Sequence, residues 1–177
     1  MAIRKVARLG HPVLRQPCRT VTEAEIGSAD MTRLVADMWD TMHEYGGVGL
    51  AAPQVHESIR LAVLELDLEP HAQPQNEEPQ GFVVFHPRIT VLDETTRGSW
   101  EGCLSVPGMR GYVERPRMIR VDYLDENGQA ASIEASDFLA VVFQHELDHL
   151  DGVLYVDKLF DPGMFAFNEE FARYHTG

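Results

Sequence analysis

Apolar residues recur at three- and four-residue spacing over residues 28–45, which predicts an amphipathic helix. Its apolar face carries Leu34, Met38 and Met42. A methionine-rich face with this spacing is typical of a packed core rather than of a cofactor site. Two glycines follow Tyr45 and end the helix.

Alternating apolar and polar positions predict several strands. β-branched residues favour strands at residues 60–67 and 82–93, the second with an edge or a bulge at Pro87. Residues 118–135 predict a β-hairpin, because turn-forming residues at positions 125–128 separate two alternating segments.

Less regular segments lie around these elements. Residues 1–27 are loop-like, residues 69–80 form an acidic, proline-rich loop, and residues 153–160 predict a last short strand. The tail, residues 161–177, is aromatic and acidic, and we expect it to form at most one docked turn. The pattern as a whole predicts an α+β fold in a single domain spanning residues 1–177, with antiparallel strands packed around a second helix at residues 136–152.

That helix is predicted to begin at Ser136, a favourable N-cap, and to end at Gly152. It contains His145, Glu146 and His149 in the pattern His-Glu-x-x-His. Four helical residues rotate the chain by about 400°, so both imidazoles leave one face and can reach the same metal ion. Glu146 then lies beside any water that the metal activates and can act as a general base. For the motif taken alone, the alternative is an amphipathic helix whose histidines only pack near a core.

Composition limits the partners and the location. A chain of 177 residues fits one domain, and one of this size buries roughly 70% of its surface on folding. With 15 Lys and Arg against 28 Asp and Glu, the formal net charge of −13 argues against nucleic acid or an anionic membrane as the main partner. The chain has no run of eighteen apolar residues and no signal-like N-terminal stretch. The expected location is the cytoplasm, with an organellar matrix also compatible.

Cys18 and Cys103 are the two cysteines of the chain. A disulfide between them is disfavoured in a reducing compartment, and Cys18 is expected to be a small buried residue. Cys103 is the candidate third metal ligand, because two imidazoles and one thiolate leave a fourth position open, as in catalytic sites. The alternative is a nucleophilic cysteine with a histidine as its base.

The segment GGVGLAAPQ, residues 46–54, is too apolar for an ordinary surface loop and too rich in small residues for a packed strand. Its glycines either let the backbone approach another group closely or only form a tight turn. The segment closes with the side-chain amide of Gln54.

GGVGLAAPQ, EGCLSVPG and QHELDHLDG occur in the order and spacing of the three signature segments of the peptide deformylases, and the chain resembles that family from GHPVLR to about Phe160. The resemblance implies one divalent metal ion per chain, natively Fe²⁺ and replaceable by Zn²⁺, Ni²⁺ or Co²⁺, bound by Cys103, His145 and His149. It also implies that Glu146 is the general base and acid. The oxyanion hole would be formed by the side-chain amide of Gln54 and the backbone N–H of Leu104.

The reaction implied by the resemblance is removal of the formyl group from N-formylmethionyl nascent polypeptides, with release of formate. The expected partners are these peptides, met near the ribosome exit, with no direct nucleic-acid or membrane contact. The backbone of Val48 and Gly49 would pair with the peptide like a strand, and Arg110 matches a position near it. The candidate walls of the methionine pocket, one and two turns before His145 on the predicted helix, are Phe138, Val141 and Val142.

Two other function classes are considered. The first is a binding module with the same fold, a structural metal and no turnover; Gln54 and Glu146 argue against it because a structural site needs neither. The second is a zinc endopeptidase, which is disfavoured because such enzymes usually take a third protein ligand of His or Glu downstream of the helix.

Overall fold

An antiparallel sheet organises the chain, and the computed structural model describes residues 2–66 and 80–175 of it. Within these residues the sheet has six strands in the order β1-β2-β3-β4-β5, with β6 paired to β4 beside β5. The strands are β1 (Gly49–Ala51), β2 (Leu61–Leu66), β3 (Gln80–Cys103), β4 (Val106–Leu124), β5 (Ala130–Ser136) and β6 (Phe165–Phe167).

Four α-helices accompany the sheet in the described residues: α1 (Glu23–Ile26), α2 (Ala29–Glu44), α3 (Asp137–Leu150) and α4 (Asn168–Tyr174). Both long helices were predicted. The Ser28 hydroxyl caps α2 by accepting a hydrogen bond from the backbone N–H of Met31 (3.2 Å). None of the described helices has the length and apolar character needed to cross a membrane.

Alternate residues of β2 face the two long helices on opposite sides of the sheet. Leu61 and Val63 belong to the apolar cluster that contains the buried face of α2, whereas Ala62 and Leu64 belong to the cluster that contains α3. Successive strand side chains point to opposite faces, so this nearly continuous apolar strand is buried on both sides. The predicted α+β fold, with antiparallel strands packed around the helix of the His-Glu-x-x-His motif, is confirmed.

β3 and β4 form one long hairpin. They pair from Phe85 to Cys103 of β3, with register shifts around Pro87 and between Gly102 and Cys103. The bulge predicted at Pro87 is confirmed, but the strand predicted at residues 82–93 continues to Cys103. The last of the register shifts, between Gly102 and Cys103, interrupts the regular pairing at the cysteine itself, where a bulge changes the direction of a side chain.

The hairpin predicted at residues 118–135 is also confirmed, as the end of β4 and the whole of β5. Asp125 organises its turn: its carboxylate accepts hydrogen bonds from the backbone N–H of Asn127 (2.9 Å) and of Gln129 (2.8 Å). Gly128 adopts φ +74°, which a glycine does without steric cost.

The short strand predicted at residues 153–160 is wrong. Residues Tyr155–Lys158 form a 3-10 helix, in which the Asp157 carboxylate accepts a hydrogen bond from the backbone N–H of Leu154 (2.8 Å). This local bond competes with strand pairing, and only Leu159 forms an isolated bridge, to Val113. The tail contains more structure than one turn, namely β6 and α4. Apart from Gln80, the acidic loop predicted at residues 69–80 lies outside the described residues.

His86 fastens the N-terminal segment to the sheet at the bulge, and we expect it to make stability depend on pH. Its Nε2 accepts a hydrogen bond from the backbone N–H of Val21 (2.9 Å). Burial, with a smaller effect from the charge of Arg60, lowers the pKa of His86 below its ordinary value of 6.5. Just below pH 6.5 the unfolded chain therefore binds more protons at His86 than the folded chain does. The contribution of His86 to the stability of the fold is lost progressively as the pH falls from that value toward the pKa of His86 in the folded protein.

Denaturant unfolding at several pH values tests this expectation with His86→Gln, which cannot be protonated. The free energy of unfolding of the wild type should fall more than that of the variant between about pH 7.5 and about pH 5.5. Any cost of glutamine at the positive φ of this position is independent of pH and does not affect the comparison. Parallel pH dependences would show that His86 does not contribute.

Candidate active site

Helix α3 places both motif histidines in the interior beside the sheet. His145 and His149 are buried, and their ring centroids lie 5.1 Å apart. Ser136 occupies the N-cap position as predicted, but its side chain makes no capping hydrogen bond. Gly152 follows the helix with φ +75°, in agreement with the predicted end.

Cys103 joins the two histidines from the far end of β3. Its Sγ lies 3.3 Å from Nε2 of His149. One ligand atom from each of Cys103, His145 and His149 can be chosen so that all lie within 4.8 Å of one another, and no other group of this kind occurs in the described residues. Both cysteines are free, so the disfavoured disulfide is not formed. The structure thus brings together the three predicted ligands across 46 positions of sequence.

The polar atoms around these residues fit a metal ion. His149 presents Nε2 to Sγ of Cys103, and beside them Oε2 of Glu146 is buried and finds no hydrogen-bond partner among the described residues. Buried polar atoms are rarely left unpaired, so a missing partner is expected at such a place. One sulfur and two imidazole nitrogens also form a donor set that suits Fe²⁺ or Zn²⁺ and leaves a coordination position open.

Glu146 lies directly against β1. A Cβ added to Gly49 would come within 2.6 Å of Oε1 of Glu146, which leaves no room for a side chain. Of the two interpretations of the small-residue segment, close approach is therefore correct. Burial, with a smaller effect from the charge of Glu101, raises the pKa of Glu146 to about 7. A carboxyl group with this pKa can both accept and return a proton near neutral pH.

Gln54 is held in a fixed orientation. It lies in the 3-10 helix Ala52–Val55, and its Oε1 accepts a hydrogen bond from the backbone N–H of Ala51 (2.8 Å). Its Nε2 donates to Oγ of Ser105 (3.2 Å) and lies 3.6 Å from Sγ of Cys103. Because the carbonyl oxygen is already used, the amide N–H groups are directed toward the cysteine side of the site.

The two histidines differ in their affinity for protons. Burial, together with the charge of His145, holds the pKa of His149 well below its ordinary value, which favours the neutral imidazole that binds metals. Burial also opposes a charge on His145, but hydrogen bonds with Cys103 and Glu101 raise its pKa well above the ordinary value. A metal ion would have to displace that proton, so metal affinity should weaken as the pH falls.

All of these groups except His149 border one cavity of about 1230 Å³. Phe138 is 62% exposed and lies at the rim, whereas Val142 is buried and also belongs to the core. The predicted site residues that line the cavity are Val48, Gly49, Gln54, Cys103, Leu104, Arg110, Phe138, Val141, Val142, His145 and Glu146.

The model of the polypeptide deformylase family matches residues 3–163 of the chain. The chain belongs to this family. It is 45% identical over 170 residues to the peptide deformylase of Leptospira biflexa serovar Patoc, covering 96% of this chain and 95% of that one.

Solved structures of deformylases share the fold. The Met-Ala-Ser-bound class I type b peptide deformylase of Acinetobacter baumannii superimposes with a TM-score of 0.80 at 36% identity, covering 89% of this chain and 98% of that one. The peptide deformylase of Thermotoga maritima has a TM-score of 0.80 at 34% identity, covering 91% of this chain and 100% of that one.

A buried ionic network lies behind His145 in this deformylase-family chain and was not predicted from the sequence. Oε2 of Glu101 lies 2.8 Å from Nδ1 of His145 and 2.9 Å from Arg115, which also donates to Asp148 (2.8 Å). The Arg115 side chain is only 2% exposed. Burial raises the pKa of Glu101, but the hydrogen bonds from Arg115 and His145 outweigh it and hold the pKa below the ordinary value.

This network fixes the orientation of the imidazole. With Nδ1 engaged by a carboxylate, His145 presents Nε2 to the cysteine side, as metal-bound histidines commonly do. Asp148 lies within the His-Glu-x-x-His segment and Glu101 within EGCL, so both were visible in the sequence. The sequence does not show that Arg115 joins these two carboxylates, because only the pairing of β3 with β4 brings it to them.

Replacing Glu101 with glutamine should weaken metal binding by about 10- to 100-fold, the usual effect of losing a carboxylate that orients a histidine ligand. Competition with a chromophoric chelator measures this affinity. Glu134→Gln, an exposed change on β5, is the matched control. Equal affinities in the two variants would show that Glu101 does not orient His145.

Proposed function

We propose that this chain is a peptide deformylase that uses one divalent metal ion to remove the formyl group from N-formylmethionyl nascent polypeptides. The observation that carries the proposal is the convergence of Cys103, His145 and His149 within 4.8 Å beside a buried glutamate and an oriented glutamine, at the wall of one cavity. A site that only stabilised the fold would need neither Glu146 nor Gln54.

Cys103, His145 and His149 would hold the ion. A bound divalent cation would supply Lewis acidity toward the formyl carbonyl and lower the pKa of a water molecule. Fe²⁺ is our proposal for the native ion, with Zn²⁺, Ni²⁺ or Co²⁺ able to replace it, because the mixed sulfur and nitrogen donor set suits all of them.

Glu146 would move the proton. Its carboxylate accepts a proton from the attacking water, which adds to the formyl carbon. It then returns that proton to the methionine nitrogen as the carbon–nitrogen bond breaks, so that formate and a free amine leave. The raised pKa of Glu146, about 7, supports both halves of this task.

Gln54 and Leu104 would stabilise the oxygen that becomes negative during the attack. The Nε2 of Gln54 is held 3.6 Å from Sγ of Cys103 by its bonds to Ser105 and Ala51, so it needs no reorganisation to donate. The backbone N–H of Leu104, the residue after Cys103, would be the second donor. Preorganised donors of this kind are among the largest contributions to catalysis.

The peptide would extend the sheet at β1. In the described residues β1 pairs with β2 on one side, and Val48, which precedes it, is 45% exposed. An extended peptide adds readily to such an edge through backbone hydrogen bonds. Arg110 would contact the peptide farther along. The methionine side chain would pack against Val141 and Val142, with Phe138 at the rim.

The setting of the reaction is also part of the proposal. We expect the substrate to be met as it emerges from the ribosome, in the cytoplasm or in an organellar matrix. One relative, 38% identical over 166 residues, is the chloroplastic peptide deformylase 1A of tomato. The net charge of −13 supports a role without direct contact to nucleic acid or an anionic membrane.

The decisive experiment measures formate release from formyl-Met-Ala-Ser, with the metal content determined on the same anaerobically prepared sample. We expect turnover in proportion to the bound metal. A metal-loaded protein that binds the peptide and releases no formate would support the binding-module interpretation. Cleavage of an internal peptide bond would support an endopeptidase.

A further inference from the structure

The basic residues of this acidic protein are distributed unevenly. Eleven of its fifteen Lys and Arg residues form ion pairs with carboxylates of the described part of the chain. The ion pairs of that part leave out only four: Lys5, Arg8, Arg88 and Arg110. Three of these four, Lys5, Arg8 and Arg110, line the cavity of the candidate active site. We call these three the basic set.

In the part of the chain that the structure describes, neither carboxylate at the cavity wall is paired with the basic set. The two carboxylates that line the cavity are Glu101 and Glu146. Glu101 is engaged by Arg115 and His145, and Glu146 is buried against Gly49 and forms no ion pair with the basic set among the described residues. The described wall of the cavity therefore carries three cations that form no ion pair among the described residues, in a chain whose formal net charge is −13.

The N-terminal part of the basic set is anchored to the catalytic residues. The backbone N–H of Ala7 donates to the carbonyl of Gln54 (2.7 Å), and that of Leu9 donates to the carbonyl of Ser105 (2.8 Å). These bonds fix the backbone on both sides of Arg8, while the side chains of Lys5 and Arg8 remain exposed. Their charges are thus held at the cavity, and no carboxylate of the described residues forms an ion pair with them.

Arg110 is placed by packing instead. It lies opposite Gly102 in the pairing of β3 with β4, one position from Cys103, and its Cγ is 3.9 Å from where a Cβ of Gly102 would be. The guanidinium carbon lies 5.2 Å from the centroid of the Phe171 ring, which in turn packs on Trp100 at 5.0 Å. A cation–π contact orients a guanidinium but leaves its N–H groups free for an anion.

The spacing of residues along an extended peptide favours acidic side chains of the substrate as the anion that the basic set binds. An extended peptide advances about 3.4 Å per residue, so the two residues after methionine reach about 7–10 Å from the reacting carbonyl. Arg110 lies opposite Gly102, the neighbour of the ligand Cys103, so an extended peptide bound at the site would carry these side chains toward it. A nucleic-acid backbone is the less favourable occupant, because most of the surface of the protein would repel it.

We propose that the basic set makes the cavity select formyl-methionyl peptides that carry an acidic side chain in the first two positions after methionine. The inference rests on the proposed deformylase function and adds a substrate class to it. Opposite charges at the rim of a binding site act mainly on association and specificity. The preference should therefore appear in KM, with little change in kcat.

The test compares formyl-Met-Ala-X peptides with X as Glu, Gln or Lys, all amidated so that no terminal carboxylate adds charge. We expect kcat/KM to fall in the order Glu, Gln, Lys, with about a tenfold range, since exposed ion pairs are each weak. The range should shrink when the salt concentration is raised from about 0.05 M to about 0.5 M. Calorimetry with the unformylated products Met-Ala-Glu and Met-Ala-Lys should give the same order of affinity.

Variants assign the effect to the basic set. Arg110→Gln and the double change Lys5→Gln with Arg8→Gln should each move the Glu-to-Lys ratio toward one. Arg88→Gln removes the fourth cation without an ion pair among the described residues. Arg88 is exposed and does not line the cavity, so this change should leave the ratio unchanged. A ratio near one in the wild type, or an equal loss in Arg88→Gln, would overturn the proposal.

Three outcomes would overturn the proposal and can be distinguished from one another. Inhibition by oligouridylate that the Lys5 and Arg8 changes abolish, with a Glu-to-Lys ratio of one, would assign the basic set to nucleic acid. Absence of formate from every peptide in the metal-loaded protein would overturn the deformylase function and this inference with it. Formate release without a charge preference would overturn this inference alone.

Discussion

Replacing Glu146 with glutamine is expected to lower turnover by about 10² to 10⁴, the range for loss of a positioned general base. Glutamine keeps the shape that fits against Gly49 but cannot accept a proton at neutral pH. Because Glu146 is not one of the three proposed ligands, metal content and folding should survive. Formate release at matched metal content measures the effect, with the exposed Glu126→Gln as the control.

The pH profile provides an independent check on the same residue. The proposed base must be deprotonated, so wild-type activity should decline as the pH falls through the pKa of Glu146. Burial raises that pKa to about 7, and a bound cation would lower it, so the decline should begin at or below neutrality. Glu146→Gln should lose this dependence. Equal rates for wild type and variant would remove Glu146 from the proposed mechanism.

Replacing His149 with alanine should abolish both metal binding and activity, because two remaining ligands hold a divalent ion poorly. Bound metal, measured by plasma emission spectroscopy, should fall from about one ion per chain toward zero, since affinity depends on the complete ligand set. Cys103→Ala should behave in the same way. It removes a partly exposed side chain and therefore disturbs packing less than loss of the buried His149.

Cys18→Ala is the matched control for these two variants. Cys18 is buried, and burial raises the pKa of its thiol to about 11, so it is a poor ligand and a poor nucleophile. Its replacement should leave metal content and turnover intact. Full metal stoichiometry in His149→Ala would show that the proposed ligand set is wrong.

The directions of the two motif histidines and the close approach at the glycines could be predicted, because both depend only on residues that are near each other in the sequence. The i, i+4 histidines fix their own relative direction once the segment is helical, and the glycines at positions 47 and 49 indicate close approach. The proximity of Cys103 to this helix could only be inferred from its chemistry and from resemblance. Chain spacing across 42 positions does not determine a distance.

Other features could not be predicted from the sequence, because they depend on contacts between segments that are far apart in the chain. Arg115 reads as one more charged residue in a strand, and only the β3–β4 pairing shows that it is buried between Glu101 and Asp148. The failed strand prediction at residues 153–160 has a similar cause: the apolar residues there suit a strand, but Asp157 and the buried Tyr155 stabilise a 3-10 turn. The lack of ion pairs for the basic set among the described residues likewise depends on which carboxylates the other cations reach in the fold.

The separation of the ligands along the chain also sets an order of events during synthesis. Cys103 is made 42 residues before His145, which corresponds to about 2–8 s at about 5–20 residues per second. The β3–β4 hairpin brings together neighbouring segments and can form within this interval, with the cysteine beside its turn. The Cys103 thiol therefore remains without its two imidazole partners until α3 has been synthesised and has packed against the sheet. Capture of the metal is therefore expected to come at the end of folding and not to nucleate it.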